Sequence, residues 1–185
     1  MGCCVNLLDF GIDGDLDIFL LQGHPAAGSN RLLRNDSGRF TGVIVPADLE
    51  HFTYGMGAAT ADFKNDASVD LLTTGFGGNR LYRNNGNATF TDVTAQSPEI
   101  ALSNRWSTSA SFFDYDNDRW HDLIILKYVD YHFASDKRCL VPTVKLDYCT
   151  TCTNRSVPAR LLHNDKGDFT DVTAKSGIDK ATGPG

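Results

Sequence analysis

No stretch of this sequence approaches the roughly 18–20 consecutive apolar residues that a membrane-spanning helix needs. The chain as given also holds no basic, apolar and small-residue succession of a secretion signal. A basic surplus is missing too: 17 Lys and Arg stand against 23 Asp and Glu, for a net charge of −6. That balance argues against nucleic-acid binding, because phosphates are gathered by a basic surface. Long helix-forming stretches are few, and the composition is neither disordered nor collagen-like. What the 185 residues do have is 17 Gly, many Asp and Asn, and 41% hydrophobic residues, enough for a sizeable core. This composition favours short strands joined by turns.

One acidic pattern occurs three times. It reads Asp9-Phe-Gly-Ile-Asp13-Gly-Asp15-Leu-Asp17, then Asp62-Phe-Lys-Asn-Asp66-Ala-Ser-Val-Asp70, then Asp114-Tyr-Asp116-Asn-Asp118-Arg-Trp120-His-Asp122. The first aspartates lie 53 and 52 residues apart. Each loop follows a small or apolar run and leads into an apolar one, such as Leu123–Leu126. A second pattern follows each loop: Asn30-Arg-Leu-Leu-Arg-Asn-Asp-Ser-Gly, Asn79-Arg-Leu-Tyr-Arg-Asn-Asn-Gly and Ala159-Arg-Leu-Leu-His-Asn-Asp-Lys-Gly. It reads as strand, tight turn and strand, since Asn and Gly tolerate the left-handed backbone of such turns. One unit is then four strands in roughly 50 residues, the size of a propeller blade. Ile124-Ile125-Leu126 is apolar on both faces, as a blade packed between two others requires.

The expected fold is therefore all-β: a β-propeller fragment of about three four-stranded blades with calcium-type loops. Blade 1 takes residues 1–50, blade 2 residues 51–103 and blade 3 residues 104–177, with a cysteine-containing insertion at 131–157. Residues 178–185 would start a further blade. Counting from Leu161, the next acidic loop falls due at about residues 191–194 by repeat spacing, so a truncated frame is expected. The alternative is a three-blade protein that closes by associating with further copies.

Calcium takes six to eight oxygen ligands. In the third loop Asp114, Asp116 and Asp118 stand at positions one, three and five. Trp120 offers its carbonyl at position seven, and Asp122 closes at position nine. Four such carboxylates repel one another without a cation. The first loop has Asp9, Asp13 and Asp17 but Gly11 at position three, with Asp15 as a substitute at position seven. The second has Lys64 at position three, which suggests an internal ion pair in place of metal. Position twelve is Leu20, Thr73 or Ile125, so none is an EF-hand. His24, His51, His121, His132 and His163 fall at no metal or triad spacing. Phe40, Phe90 and Phe169 recur at one hairpin position and read as blade core. Arg31, Arg80 and Arg160 recur too, and are expected to pair with loop carboxylates or backbone. Cys3 and Cys4 read as packing residues.

The loops and the Asn79–Gly86 segment resemble the FG-GAP/VCBS repeats of calcium-binding propellers. More narrowly, Tyr54-Gly-Met-Gly-Ala-Ala, Trp106-Ser-Thr-Ser-Ala and Tyr128-Val-Asp-Tyr are similar to the ASPIC/UnbV, cartilage-acidic-protein-like branch. The resemblance implies a secreted, extracellular or periplasmic module for adhesion or ligand binding, with Ca²⁺ and no catalytic set. Partners would be an extracellular protein or glycan ligand and the remaining blades of a parent chain. They would meet the face opposite the metal loops and the insertion. It also implies a disulfide between Cys139 and Cys149. A zinc site from Cys139, Cys149, Cys152 and His132 or His163 stays open beside that. The alternative function is a segment of a propeller-based polysaccharide lyase or quinone-dependent dehydrogenase, although no base or cofactor site is visible in the sequence.

Overall fold

The computed structural model describes residues 4–23, 30–43, 49, 54–101, 106–131, 139–140, 146–147 and 155–180. Three four-stranded antiparallel sheets carry nearly all of it. The first is β1 (Cys4–Leu8), β2 (Asp17–Leu21), β3 (Arg31–Asp36) and β4 (Arg39–Val43), in that spatial order. The second is β5 (Tyr54–Ala61), β6 (Asp70–Phe76), β7 (Arg80–Asn84) and β8 (Phe90–Asp92). The third joins β9 (Ser107–Phe113) and β10 (Asp122–Lys127) to β13 (Arg160–Asp165) and β14 (Asp168–Asp171). Between them in the chain, β11 (Cys139–Leu140) and β12 (Leu146–Asp147) pair as a small separate ribbon. The expected Cys139–Cys149 pairing, and the cysteines and His132 of the zinc alternative, fall on side chains outside the described residues. Cys4 is a half-buried free thiol packed against the first core.

Each meander forms because the turns require it. The acidic loops join β1 to β2, β5 to β6 and β9 to β10. Ser37-Gly38 and Lys166-Gly167 each put two successive residues at positive φ, the mirror-image turn whose twist matches a hairpin. Beyond β8 and β14 the chain coils into short helical turns at Thr94–Gln96, α1 (Pro98–Ala101), α2 (Thr173–Ser176) and Ile178–Lys180, a feature the strand-and-turn reading does not contain. Asp92 and Asp171 start these turns by accepting the Thr94 and Thr173 amides at 2.8 and 2.9 Å.

The sheets stack face to face, so the cores lie between them. Phe10, Phe19, Leu32, Leu71, Tyr82 and Phe90 fill the seam between sheets one and two. Phe63, Leu72, Leu81, Leu123, Leu162 and Phe169 fill the seam between two and three. Adjacent Leu71 and Leu72 thus serve opposite seams, which accounts for the continuous apolar run in β6. The innermost strands β1, β5 and β9 approach closely because β5 is nearly bare of side chains. A Cβ on Gly57 would stand 2.6 Å from the Thr108 carbonyl oxygen, and one on Gly55 2.6 Å from that of Gln22.

One expectation needs correction here, and one holds in part. Phe90 and Phe169 are core, but Phe40 is 47% exposed. Each of the buried pair rests on a ring of the preceding sheet: Phe90 on Phe10 at 5.4 Å and Phe169 on Phe63 at 5.6 Å. Phe40 lies on the outer face of sheet one, where no described sheet supplies that ring. Of the arginines expected on loop carboxylates or backbone, Arg160 does donate to a backbone carbonyl, that of Glu99, and the carboxylates that Arg80 and Arg160 meet, Asp92 and Asp171 at 3.9 and 3.3 Å, lie on the adjoining outer strand. Gly42 takes the aspartate's place beside Arg31. Burial raises the Asp171 carboxyl, but the Thr173 hydrogen bonds and the Arg160 charge outweigh it and leave its pKa lowered.

Gly57→Ala should cost about 1–3 kcal/mol, as overpacking against backbone does. Urea denaturation measures it, and a control at exposed Gly42→Ala in β4, where a Cβ meets nothing within 4 Å, separates that clash from mere loss of glycine.

Candidate metal centre

The three acidic loops have one shape, fixed from within by their own aspartates. The first aspartate accepts two amides, from positions five and six. In loop three Asp114 takes the Asp118 and Arg119 amides at 3.1 and 2.9 Å. Asp9 does the same with Asp13 and Gly14, and Asp62 with Asp66 and Ala67. The fifth residue then accepts the amide of the seventh: Asp118 from Trp120, Asp13 from Asp15, Asp66 from Ser68. Positions four and six are left-handed throughout. Gly14 stands at φ 88°, but its counterparts Ala67 and Arg119 stand at 66° and 73°. Arg119, which lacks glycine's freedom, nevertheless makes the turn.

The ninth aspartate holds the loop to the hairpin. Asp17, Asp70 and Asp122 are fully buried. One oxygen of each accepts the amide at loop position two, from Phe10, Phe63 and Tyr115 at 2.8, 3.2 and 3.0 Å. The other accepts the amide of Asn35, Asn84 or Asn164 at 2.7, 2.8 and 2.8 Å. The asparagine side chain then turns back. Its Oδ1 accepts the turn-glycine amide of Gly38, Gly86 or Gly167, and its Nδ2 donates to loop carbonyls. Asp122 is thus a structural staple first: its Oδ1 meets both the Asn164 amide and His163 Nδ1, and its Oδ2, with the Tyr115 amide alone, keeps a lone pair for a further ligand.

Only the third loop gathers oxygens at one point among the described residues. Carboxylate oxygens of Asp114, Asp116 and Asp118 lie within 4.8 Å of one another, as do ligand atoms of Asp116, Asp122 and His163. The Trp120 peptide is oriented by its bond to Asp118. Loop one does not bring Asp9, Asp13, Asp15 and Asp17 into such a group. Gly11 leaves position three empty, and Asp15 instead accepts the Ser37 amide in the hairpin turn. In loop two the expected internal ion pair is absent among the described residues. Lys64 reaches over the Phe63 ring at 5.9 Å and toward the Gly167 turn of the next sheet.

The sequence reading offered His163 only as an alternative zinc ligand beside the cysteines; the structure places it at loop three. Its Nδ1 lies 3.1 Å from Asp122 and 3.4 Å from Asp116, with the Tyr115 ring edge-on at 6.0 Å. The signal is positional: His163 replaces Arg34 and Arg83 of the other units, in the one unit with a complete carboxylate set. An all-oxygen set from Asp114, Asp116, Asp118, Asp122 and the Trp120 carbonyl suits calcium. His163 then serves as an outer hydrogen-bond partner that orients Asp122. Burial pushes the Tyr115 hydroxyl pKa up, and the charges of Asp116, Asp122 and Asp118 add to it.

The FG-GAP-like repeat model matches twice, over residues 9–73 and 62–125. This chain belongs to the FG-GAP-like repeat family. Each match opens on the first aspartate of an acidic loop, so the family signature begins where the loop begins. No curated protein matches the sequence. A solved structure of an Agrocybe aegerita lectin, described for specific recognition of non-reducing terminal N-acetylglucosamine, is similar at TM-score 0.43 and 14% identity. The similarity covers 95% of this chain and 54% of that one, so the chain spans about half of the lectin's length.

Two outcomes follow from the loop geometry. Replacing Arg119 with Gly relieves a left-handed side chain and should raise stability by about 0.5–1 kcal/mol, net of glycine's looser unfolded chain, read from the urea midpoint. Burial raises Asp70 to a pKa of about 7, against the Asn84 and Phe63 amide bonds that lower it. A carboxyl whose folded pKa is raised binds more protons folded than unfolded. The Asp70 contribution to stability therefore falls as pH rises from about 4 to about 7, and the Asp70→Asn variant should lack that component in its pH profile.

Proposed function

We propose that this chain is a calcium-stabilised, non-catalytic binding module of an extracellular or periplasmic protein, in the ASPIC/UnbV branch of FG-GAP propellers. The observation that carries the reading is the third loop, where Asp114, Asp116 and Asp118 form one close group and Asp116, Asp122 and His163 a second that shares Asp116. Asp114, Asp116, Asp118, Asp122 and the Trp120 carbonyl would hold the ion. Calcium supplies the positive charge that lets these oxygens stay ionised side by side. The loop is already shaped by its own hydrogen bonds, so the ion's contribution is neutralisation more than folding. The branch assignment rests on Tyr54, Trp106 and Tyr128, the first residues of its three motifs. They gather at the strand ends away from the loops: Tyr54 pairs with Phe76, Phe76 bridges to Trp106, and Trp106 packs edge-on against Tyr128 at 5.2 Å. That end and the insertion are the surfaces for an extracellular protein or glycan ligand.

Extracellular calcium sites bind at about 0.1–1 mM. At about 2 mM calcium, linkage then gives about 1–2 kcal/mol, or a few degrees in melting temperature for a chain of this size. Chelation with EDTA should remove that increment, and Asp116→Ala should abolish most of the EDTA sensitivity. An EDTA-insensitive melting curve in the unmodified chain defeats the calcium reading.

A further inference from the structure

The three units are built to one pattern, so a residue that departs from it is measured against two internal controls. At the hairpin position before the stapling asparagine, the first two units carry arginine, and both arginines stay on their own turn. Arg34 pairs with Asp36 at 2.9 Å, and Arg83 donates to Asn85 at 3.2 Å. The third unit carries His163, which turns toward the acidic loop instead. Its Nδ1 lies 3.1 Å from Asp122 Oδ1 and 3.4 Å from Asp116 Oδ2. Ligand atoms of these three residues all lie within 4.8 Å of one another.

A single N–H serves one acceptor well and the other poorly. A cation serves both at once. Ligands held about 2.0–2.2 Å from a zinc-class ion stand about 2.9–3.5 Å from one another at octahedral to tetrahedral angles. Both distances measured from Nδ1 fall in that range. Two of the donors are also held in place by the fold itself. Asp122 is fully buried and fixed by the Tyr115 and Asn164 amides, and the Tyr115 ring stands edge-on to the imidazole at 6.0 Å.

We propose that Asp116 Oδ2, Asp122 Oδ1 and His163 Nδ1 form a second cation subsite in the third unit, one that takes a borderline divalent ion of the zinc and cobalt(II) class. The donors set the class. Calcium is hard and collects oxygen, whereas imidazole nitrogen suits zinc and its first-row neighbours. The ion takes the place of a proton: Nδ1 releases its hydrogen to water, and Nε2 carries the one N–H of the neutral ring. Water completes the coordination. Asp116 and Asp122 each have a second oxygen, so the subsite does not consume the calcium set. It borrows two carboxylates from the calcium reading and rests on it to that extent. All three donors belong to the third sheet and its own loop, so the site is complete within this chain.

Calorimetric titration of the whole metal-free chain with zinc chloride, and titration with cobalt(II) chloride followed in the visible, test this near neutral pH, each with and without calcium. Uptake of a single ion is expected, with a cobalt(II) d–d band and no thiolate charge-transfer absorption. His163→Gln should weaken zinc by at least about tenfold, the loss that even an outer partner of a metal ligand brings. Its amide still donates to Asp122, so the calcium-induced rise in melting temperature should persist. Asp118→Asn should do the reverse, losing the calcium increment and keeping zinc. His163→Arg, the residue type of the other two units, replaces the glutamine variant if that one loses its far-UV circular dichroism spectrum. No zinc uptake at about 1 mM, the weak end of the affinity scale, overturns the proposal, as does zinc affinity unchanged in the His163 variants, which is what cysteine ligation would give. A parent chain insensitive to EDTA in calcium that still takes cobalt(II) through His163 supports the subsite and defeats the calcium reading alone.

Discussion

The fold depends on one buried ion-to-amide arrangement. In every unit a fully buried aspartate, Asp17, Asp70 or Asp122, takes one amide from its own loop and one from the hairpin that follows. A carboxylate removed from water is costly unless both oxygens are occupied by donors. The two amides supply that and tie loop, second strand and third strand into one unit. The asparagine beside each passes the connection onward, with Oδ1 on the turn glycine. In the second and third units its Nδ2 also reaches the preceding loop. Blade geometry and seam geometry therefore share a single pair of residues.

This arrangement bears on what a metal does. All three loops have the same internal bonds, yet they differ in ligand set: loop two has Lys64 at position three, loop one has Gly11, and only loop three gathers its carboxylates. Loop shape is thus independent of a complete ligand set. Charge is the part left to the ion. Where the carboxylates converge, the chain places His163 against Asp116 and Asp122. Where they do not, the side chains find other work, as Asp15 does on Ser37 and Lys64 does over Phe63.

Much of this was legible in the sequence because the repeat is regular. The three acidic loops, the three hairpins and the strand-rich architecture follow from spacing and turn chemistry, and the aspartates of loop three are visible as ligand candidates. The rest depends on contacts between sheets, which spacing does not encode. Phe40 looks identical to Phe90 and Phe169 until one asks which ring each rests on. The arginines Arg80 and Arg160 answer to aspartates ten or more positions away on a neighbouring strand. His163 lies 41 residues beyond Asp122 and meets it only because β13 pairs with β10. The buried role of the ninth aspartates was also hidden, since a ligand and a staple occupy the same position in the pattern.

The left-handed backbone at Ala67 and Arg119 has a consequence for the whole array. A turn that tolerates alanine or arginine at its tightest point, because paired carboxylate bonds hold it, does not need glycine or cargo to survive substitution. Duplicated units of this kind can vary their third, fourth and sixth positions, at a modest backbone cost where a side chain sits at positive φ, while remaining interchangeable bricks. Ion content then becomes a property that each copy can gain or lose by itself, without dismantling the wall.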